Sequence, residues 1–398
     1  MADHDQENDI VILSGARTAI GAFGGSLASV PPIDLASTVA KAAMERAGVS
    51  PDQVKTVVFG HVLNTEPRDM YLARVAMLNA GVPDTSTAMN VNRLCGSGAQ
   101  AIVSAVQMLK LGDADIAIAG GAESMSRAPY ILPSMRMGAR MGDAQAIDMM
   151  VGALTCPMGT GHMGVTAENV AHESHITREA QDEFALESQT RAAKAISEGR
   201  FKDQIVPVEV KTRKGVVSFD TDEHPKETTL EKLAGLKPAF QKQDGTVTAG
   251  NASGINDGAA AIVLARADAA KAAGLTPRFR VLGYALGGVA PKVMGYGPIP
   301  AVRTLLEKTG LKVEDFDVIE SNEAFAAQAL AVTNELGFDP AKVNPNGGAI
   351  ALGHPVGATG AILTVKAMYE LDRTGGKIAL ITMCIGGGQG IAIAIEKI

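Results

Sequence analysis

Two glycine-rich turns near the end of the sequence contain side chains suited to acid–base chemistry at neutral pH. His354 lies within residues 344–357, and Cys384 opens the run of residues 384–390. Glycines let backbone N–H groups approach a ligand closely and permit positive φ. The two turns could therefore bind a ligand beside an imidazole and a thiol. Two tight turns around a buried structural His and Cys are the alternative interpretation of these residues alone.

A second cysteine stands where a helix is predicted to begin. Cys95 lies in the segment NRLCGSG, residues 92–98, directly before a helical pattern over residues 99–111. The N–H groups and the dipole at a helix N-terminus stabilise a thiolate, so we expect the pKa of Cys95 to be lowered. Thiolates are strong nucleophiles, and Cys95 is therefore the predicted nucleophile. A buried inert thiol is the alternative.

The composition is that of a soluble α/β protein and excludes several classes of function. The 398 residues include 44 Gly, no Trp and 46% hydrophobic residues, enough for two or three domains. The net charge of −7, without a basic stripe, gives no basis for binding nucleic acid. No apolar run approaches the ~18 residues that a membrane-spanning helix needs, so no membrane partner is predicted.

The cysteines and the two ends of the sequence indicate a cytoplasmic protein. Three cysteines cannot form a disulfide framework, and a glycine-flanked Cys suits a reducing compartment. The acidic residues 1–9 resemble neither a signal nor a transit peptide, and the C-terminal Glu-Lys-Ile is not a peroxisomal address. No His and Cys residues have metal-ligand spacing, so no metal is predicted, and Cys156 is predicted to be structural.

Strands alternate with helices along the chain, which favours α/β layering. Strands are predicted at residues 10–14, 54–59 and 116–120, and helices at residues 35–48 and 99–111. The chain also repeats itself with an offset of 262 residues, on which Gly98 matches Gly360 and Ala122 falls on Cys384. Two halves of the same topology, packed as a pseudo-dimer, are the simplest interpretation.

The repeat locates an insertion in the first half. Cys384 precedes the next predicted strand by six residues, whereas Ala122 precedes the corresponding strand, residues 258–265, by 136. A domain inserted at a core edge beside the predicted site is well placed to bind substrate. We therefore predict three parts, which are residues 1–125 with 250–275 as the first half, residues 126–249 as an inserted loop domain, and residues 276–398 as the second half.

Six motifs in family order resemble those of the thiolases and extend along the whole chain. They are residues 92–98, 162–164, 249–258, 322–325, 347–355 and 384–390. The resemblance implies a thiolase fold, in which two similar βαβαβ-type halves pack as a layered αβαβα pseudo-dimer with an inserted loop domain. It also implies an acyltransferase that uses coenzyme A thioesters as substrates and has no tightly bound cofactor.

The resemblance assigns catalytic roles to five residues. Cys95 would form an acyl-enzyme, and His354 would take its proton and later polarise the thioester oxygen, with a pKa near neutrality. Cys384 would act as the base over the acetyl methyl group. A Cys there argues for a thiolase over related condensing enzymes, which have His, Asn or Glu. The N–H groups of Cys95 and Gly386 would form one oxyanion hole, and His354 with a water held by Asn322 the other.

The resemblance also implies coenzyme A contacts, largely in the inserted domain. Ser253 and His162 would contact the pantetheine, and Ala249 belongs to the same set. Lys226 stands where many family members have an Arg near the phosphates, which puts a bidentate contact in doubt. Eight of the 17 Met lie between residues 125 and 163, a flexible apolar surface suited to a pantetheine arm or a subunit contact. The implied acyl pocket comprises Met163, Phe240, Met294 and Phe325.

The implied reaction is a ping-pong condensation of two acetyl-CoA to acetoacetyl-CoA and CoA, and its reverse. A broader 3-ketoacyl-CoA thiolase, acting also on C5 or longer substrates, is an alternative, because residues 64–70 and 157–161 need not match strictly acetyl-specific members. A protein of this fold that only binds acyl-CoA or lipid would have lost the Cys or His, and this chain has lost neither. A homotetramer, a dimer of dimers, is expected, with residues 127–140 at the dimer–dimer contact.

Overall fold

The computed structural model describes residues 9–398, and most of the acidic start, residues 1–8, lies outside the described part. Its helices are α1 (Pro32–Ala47), α2 (Leu72–Asn79), α3 (Ser97–Leu111), α4 (Met149–Ala153), α5 (Met163–Glu173), α6 (Arg178–Ser197), α7 (Leu230–Ala234), α8 (Ala267–Ala272), α9 (Pro298–Thr309), α10 (Ala326–Leu336), α11 (Ala349–Leu352) and α12 (Thr359–Thr374). Its strands are β1 (Ile10–Arg17), β2 (Gly21–Ala22), β3 (Thr56–Gly60), β4 (Thr87–Val91), β5 (Ile116–Ser124), β6 (Tyr130–Ile131), β7 (Ile147–Asp148), β8 (Thr155–Cys156), β9 (Gly161–His162), β10 (Val208–Thr212), β11 (Gly215–Phe219), β12 (Asn256–Arg266), β13 (Phe279–Gly288), β14 (Val318–Ser321), β15 (Ile378–Ile385) and β16 (Gln389–Lys397).

The core strands of the two halves follow the same order outward from a shared middle. In the first half the order is β1, β12, β5, β3 and β4, and in the second it is β13, β16, β15 and β14. In both halves the outer pairs are parallel, β3 with β5 and β14 with β15, whereas the inner pairs are antiparallel. The halves meet where β1 and β13 pair over only two residues of each strand. Four strands of each half therefore match in order and direction, with β4 as an additional edge strand of the first half, and the predicted duplication is confirmed.

Helices form three layers around the two sets of strands. Helices α1 and α2 cover the outer side of the first half, α9 and α10 cover that of the second, and α3 packs on α12 between them. A Cβ added to Gly98 would lie 2.8 Å from the backbone nitrogen of Ala361, and one added to Gly360 would lie 2.3 Å from that of Ala99. The two repeat-related glycines thus let α3 and α12 cross closely, and the predicted αβαβα layering is confirmed.

The predicted helices and strands are of the correct type, but some of their ends lie at other residues than predicted. Helix α1 begins at Pro32, earlier than predicted, because proline suits the first helical turn, and it ends at Gly48 with φ 66°. Strand β5 extends beyond its predicted end at Gly120 to Ser124. A Cβ on Gly121 would lie 2.2 Å from the carbonyl oxygen of Gly357, so the glycines in this strand permit close packing and do not end it.

The segment between residues 126 and 249 contributes short strands and helices of 5 to 20 residues, all outside the core strands. Strands β6 to β11 form three two-stranded sheets, and α4 to α7 lie among them. The division of the chain at residues 125/126, 249/250 and 275/276 stays a prediction. Within residues 9–398, no helix is both long enough and apolar enough to cross a membrane.

Candidate active site

Cys95 lies in a strained turn directly before α3. Leu94 has φ 45°, a left-handed conformation that is uncommon for a residue with a side chain. The Ser97 hydroxyl donates to the Leu94 carbonyl at 2.6 Å and holds this turn closed. A Cβ on Gly96 would lie 2.4 Å from Cδ1 of Ile385, so a glycine is needed where the turn meets β15. The turn places Cys95 at the helix N-terminus, where the residue as a whole is half-buried while its thiol is desolvated by the surrounding protein.

His354 lies between α11 and α12 and is fixed by three side chains. Its backbone N–H donates to Oδ1 of Asn256 at 2.9 Å. Its Nδ1 lies 2.6 Å from the Thr359 hydroxyl, and its Nε2 lies 3.4 Å from Nδ2 of Asn322. Burial lowers the pKa of His354 to about 4. The expectation of a pKa near neutrality is therefore wrong for the enzyme without substrate, because the charged imidazolium loses its solvation.

The two cysteines of the site influence each other. Cys384 lies on β15 and is 1% exposed. Burial raises the pKa of its thiol, and the nearby Cys95 raises it further. Burial also raises the pKa of Cys95, and the backbone N–H groups of Gly386 and Cys95 oppose this without overcoming it. The predicted lowering of the Cys95 pKa is thus wrong in sign, because desolvation, with the charge of Glu123, outweighs the backbone N–H groups that face the thiol.

Gly386 lies between the nucleophile turn and the inserted segment. A Cβ placed on it would lie 3.1 Å from Cδ1 of Leu94 and 3.5 Å from the sulfur of Met163. Arg93 donates to the side-chain oxygen of Gln389 at 3.1 Å and ties the turn around Cys95 to the loop after Cys384. The backbone N–H of Gly386, in the same loop, faces the Cys95 sulfur.

Asn322 follows the end of β14 and faces His354. Its backbone N–H donates to the Thr382 carbonyl at 3.0 Å, two residues before Cys384. Its side-chain Oδ1 is buried and has no hydrogen-bond partner among the described residues. A buried acceptor without a partner costs about 1–3 kcal/mol, so this oxygen favours a bound donor such as a water.

The residues of the predicted acyl pocket do come together. One buried cluster contains Cys384, Met163, Met294 and Phe325, with Phe240 packed against it. His162 stacks on Phe240 with ring centroids 4.8 Å apart, and Phe240 meets Phe325 edge-on at 6.2 Å. The Ser253 N–H donates to the carbonyl of Ala324, the residue before Phe325, at 3.0 Å. These side chains form an apolar wall beside Cys384.

The other residues that were predicted to contact coenzyme A lie outside this buried cluster. Lys226 and Ala249 are exposed, and Ala249 lies four residues before Ser253. The pKa of His224 is lowered to about 4 by burial and by the charge of Lys226. The ring of His224 lies against Gly254, where a Cβ would come within 2.3 Å of it. Lys226 is thus within electrostatic reach of the loop that contains Ser253.

Three residues that support the site were not predicted from the sequence. Asn256 and Thr359 hold His354, as described above. Glu123 is fully buried and accepts backbone N–H groups from Val62, Leu63 and Gly357 at 2.9–3.1 Å. It joins the turn after His354 to the loop after β3. No spacing rule finds these residues, because their partners are distant in sequence or, for Thr359, depend on the fold of a turn.

An open cavity of about 870 Å³ lies elsewhere, lined by α9, α10 and the end of α5. It contains none of the predicted site residues, and its lining includes the exposed ion pair of Arg303 and Glu335. Within residues 9–398, no three His, Cys, Asp or Glu side chains are grouped as a metal site would require. The chemistry therefore concentrates where the N-termini of α3 and α12 meet.

Two thiols and an imidazole at the seam of a duplicated αβαβα fold define the thiolase class of enzyme. The family models described as thiolase, N-terminal domain, and thiolase, C-terminal domain, match residues 10–268 and 275–397. The chain belongs to the thiolase family. The predictions of the family, the fold and an acyltransferase of this class are confirmed.

Several known proteins are similar to this chain over nearly its whole length. It is 61% identical over 391 residues to beta-ketothiolase BktB of Cupriavidus necator, covering 98% of this chain and 99% of that protein. It is 52% identical over 392 residues to an acetyl-CoA acetyltransferase of the same organism, with the same coverage. The crystal structure of human mitochondrial 3-ketoacyl-CoA thiolase in complex with CoA superimposes with a TM-score of 0.95 at 44% identity, covering 99% of each chain.

Proposed function

We propose that the chain condenses two acetyl-CoA to acetoacetyl-CoA and CoA, and catalyses the reverse thiolysis, through an acetyl group on Cys95. The observation that carries the proposal is that Cys95 lies close enough to Cys384 to raise the pKa of its thiol, while His354 contacts Asn322, whose backbone N–H bonds to the strand that carries Cys384. The 52% identity to a protein named acetyl-CoA acetyltransferase supports the same reaction.

In the first half-reaction, Nε2 of His354 takes the proton of Cys95 as the sulfur attacks the thioester carbonyl. The N–H groups of Cys95 and Gly386 stabilise the oxyanion, each by on the order of 3 kcal/mol. The bond from the carbonyl carbon to the CoA sulfur breaks, and the leaving thiolate takes the proton of Cys384. The raised pKa of Cys384 keeps its thiol protonated before substrate binds, and it makes the thiolate formed in this step a strong base for the next half-reaction.

In the second half-reaction, the Cys384 thiolate removes a proton from the methyl group of a second acetyl-CoA. The protonated Nε2 of His354 and a water held by Asn322 stabilise the enolate oxygen. The enolate carbon attacks the acetyl group on Cys95, the bond to the Cys95 sulfur breaks, and that sulfur recovers its proton from His354. All three groups return to their starting protonation states.

Mass spectrometry after incubation with acetyl-CoA tests the intermediate. An acetyl adduct should be found on Cys95, and Cys156→Ser should keep it, since Cys156 packs in the buried cluster beside Cys384 but has no role in the proposed chemistry. Active protein without an adduct on Cys95 would contradict the mechanism. A CoA-release assay with the same protein distinguishes catalysis from binding of acyl-CoA or lipid alone.

A broader 3-ketoacyl-CoA thiolase is the second candidate. The 61% identity to a protein named beta-ketothiolase favours it. In addition, Cys95, Met149 and Met150 all pack against one apolar cluster that contains Leu63, which supports room for a longer acyl chain than acetyl. Thiolysis rates measured on four-carbon, five-carbon and longer 3-ketoacyl-CoA substrates decide between the two candidates.

Coenzyme A is proposed to bind as a substrate, with no tightly bound cofactor. Its pantetheine would pass Ser253, Ala249 and the stacked His162, and its phosphates would lie near Lys226. The structure of the human relative is a complex with CoA, which supports this use of the fold.

We propose a homotetramer in the cytoplasm. Exposed apolar side chains in the segment 127–140 support a subunit contact there, among them Tyr130, Met135 and Met137. A monomeric mass by light scattering at micromolar concentration would contradict the assembly. The need for two free thiols in the site supports a reducing compartment.

A further inference from the structure

The Thr359 hydroxyl has two close partners and only one proton. It lies 2.6 Å from Nδ1 of His354 and 2.9 Å from the carbonyl oxygen of Pro355. The Pro355 carbonyl also accepts the backbone N–H groups of Ala358 and Thr359, at 2.9 and 3.0 Å. A carbonyl oxygen can only accept, so the hydroxyl proton satisfies both of the hydroxyl's contacts only if it goes to Pro355. The hydroxyl oxygen must then accept from Nδ1, which therefore carries a proton. All three residues are buried, so water does not replace either contact.

We propose that Thr359 is a positioning residue that holds His354 in the tautomer with a proton on Nδ1 and a lone pair on Nε2. The proposal rests on the proposed role of His354 as the base for Cys95. A hydroxyl whose proton is committed to a backbone carbonyl is an acceptor in every step. Nδ1 consequently stays protonated whether the ring is neutral or charged, and every proton that His354 moves passes through Nε2.

The assignment also orients Asn322. A bare Nε2 is an acceptor, so the amide group of Asn322 donates to it across 3.4 Å. When Nε2 takes the proton of Cys95, two donors face each other at that distance and repel. An acceptor oxygen from the substrate between them removes the repulsion. The protonated state is therefore better matched to a bound thioester than to the empty site.

Thr359→Val keeps the shape and removes the acceptor, and Thr359→Ser restores the hydroxyl. Thr364→Val is the matched control. Thr364 is also buried on α12, and its hydroxyl also donates to a carbonyl four residues earlier, that of Gly360, at 2.9 Å. It does not contact His354. The first readout is the pH dependence of Cys95 alkylation by iodoacetamide, located by mass spectrometry. Without the acceptor, alkylation at pH 7 should fall by about 10- to 100-fold and its profile should shift to higher pH, since a hydrogen bond to the charged imidazolium is lost. Thr359→Ser and Thr364→Val should keep the wild-type profile.

The second readout is independent of activity and of the folding of any variant at position 359. In a solid-state 15N spectrum of histidine-labelled wild-type protein, the His354 signals are assigned by their loss in His354→Asn. They should show a protonated Nδ1 and a bare Nε2, which resonates far downfield. A protonated Nε2 in the neutral wild-type ring would overturn the proposal, as would a Thr359→Val protein with an unshifted alkylation profile. Loss of acetyl transfer in wild-type protein that still has the bare Nε2 would instead contradict the proposed function and leave the tautomer assignment standing.

Discussion

The acid side of the pH profile of acetylation tests the state of His354 most directly. Its pKa is lowered to about 4 by burial, and the proposed mechanism needs its neutral form. At pH 5.5 a ring with the ordinary pKa of about 6.5 would be about 9% neutral, whereas a ring with a pKa of about 4 is about 97% neutral. Single-turnover acetylation of Cys95, followed by rapid quench and mass spectrometry, should therefore change little between pH 7.5 and pH 5.5. A fall of about tenfold centred near pH 6.5 would refute the reasoning.

The burial of His354 also makes the folded protein less stable in acid, which limits the pH range of this assay. Because the folded pKa of His354 is below the unfolded value, its contribution to stability is complete above about pH 6.5 and is lost as the pH falls toward 4. The loss is about 1.4 kcal/mol at pH 5.5 and about 3 kcal/mol by pH 4. Urea unfolding at each pH separates this effect from the chemistry. His354→Asn should remove this part of the acid destabilisation, since no buried imidazole remains to be charged.

Four further substitutions have distinct expected outcomes. Cys95→Ala should lose both acetylation and condensation. Cys384→Ala should keep some acetylation, and its condensation rate in a label-transfer assay should fall by ~10²–10⁴. If Cys384→Ala condensed near the wild-type rate, another group would have to transfer the proton. Gly98→Ala should lower the free energy of unfolding, measured by urea denaturation, by about 1–3 kcal/mol, because the new Cβ would meet the α12 backbone. Gly152→Ala is the control and should not lower it, because a Cβ there meets nothing within 4 Å. Lys226→Arg should lower the KM for acetyl-CoA about two- to fivefold at unchanged kcat, because a guanidinium can bind a phosphate with two hydrogen bonds. An unchanged KM would show that Lys226 does not contact the phosphates of coenzyme A.

The residues with proposed chemistry could be found in the sequence because each lies in a short motif. Cys95 precedes a helical pattern, and His354 and Cys384 lie in glycine-rich turns. The offset that matches Gly98 with Gly360 also predicted the paired halves, since both glycines serve the same helix crossing. These features are local or periodic, and the fold preserves them.

The protonation states could not be predicted in the same way. The pKa of Cys95 depends on the depth of the site as well as on the helix that follows it, and depth is set by strands far away in sequence. The hydrogen bonds that fix His354 have the same origin. Asn256 is 98 residues from His354 along the chain, and only the fold brings its amide to the His354 backbone.

The two halves use the same positions for different groups. Where the second half has Asn322 and Cys384, the first half has Gly60 and Ala122, and only the first half provides Cys95. The enzyme is therefore an intramolecular heterodimer, in which neither half contains a complete set of reacting groups. A chain cut between the two matched family regions, near Gly274, would be catalytically silent as separate pieces. Any activity on mixing would rise with the product of the two fragment concentrations, as for a split reporter protein. The reason is that every turnover requires that the two fragments have associated.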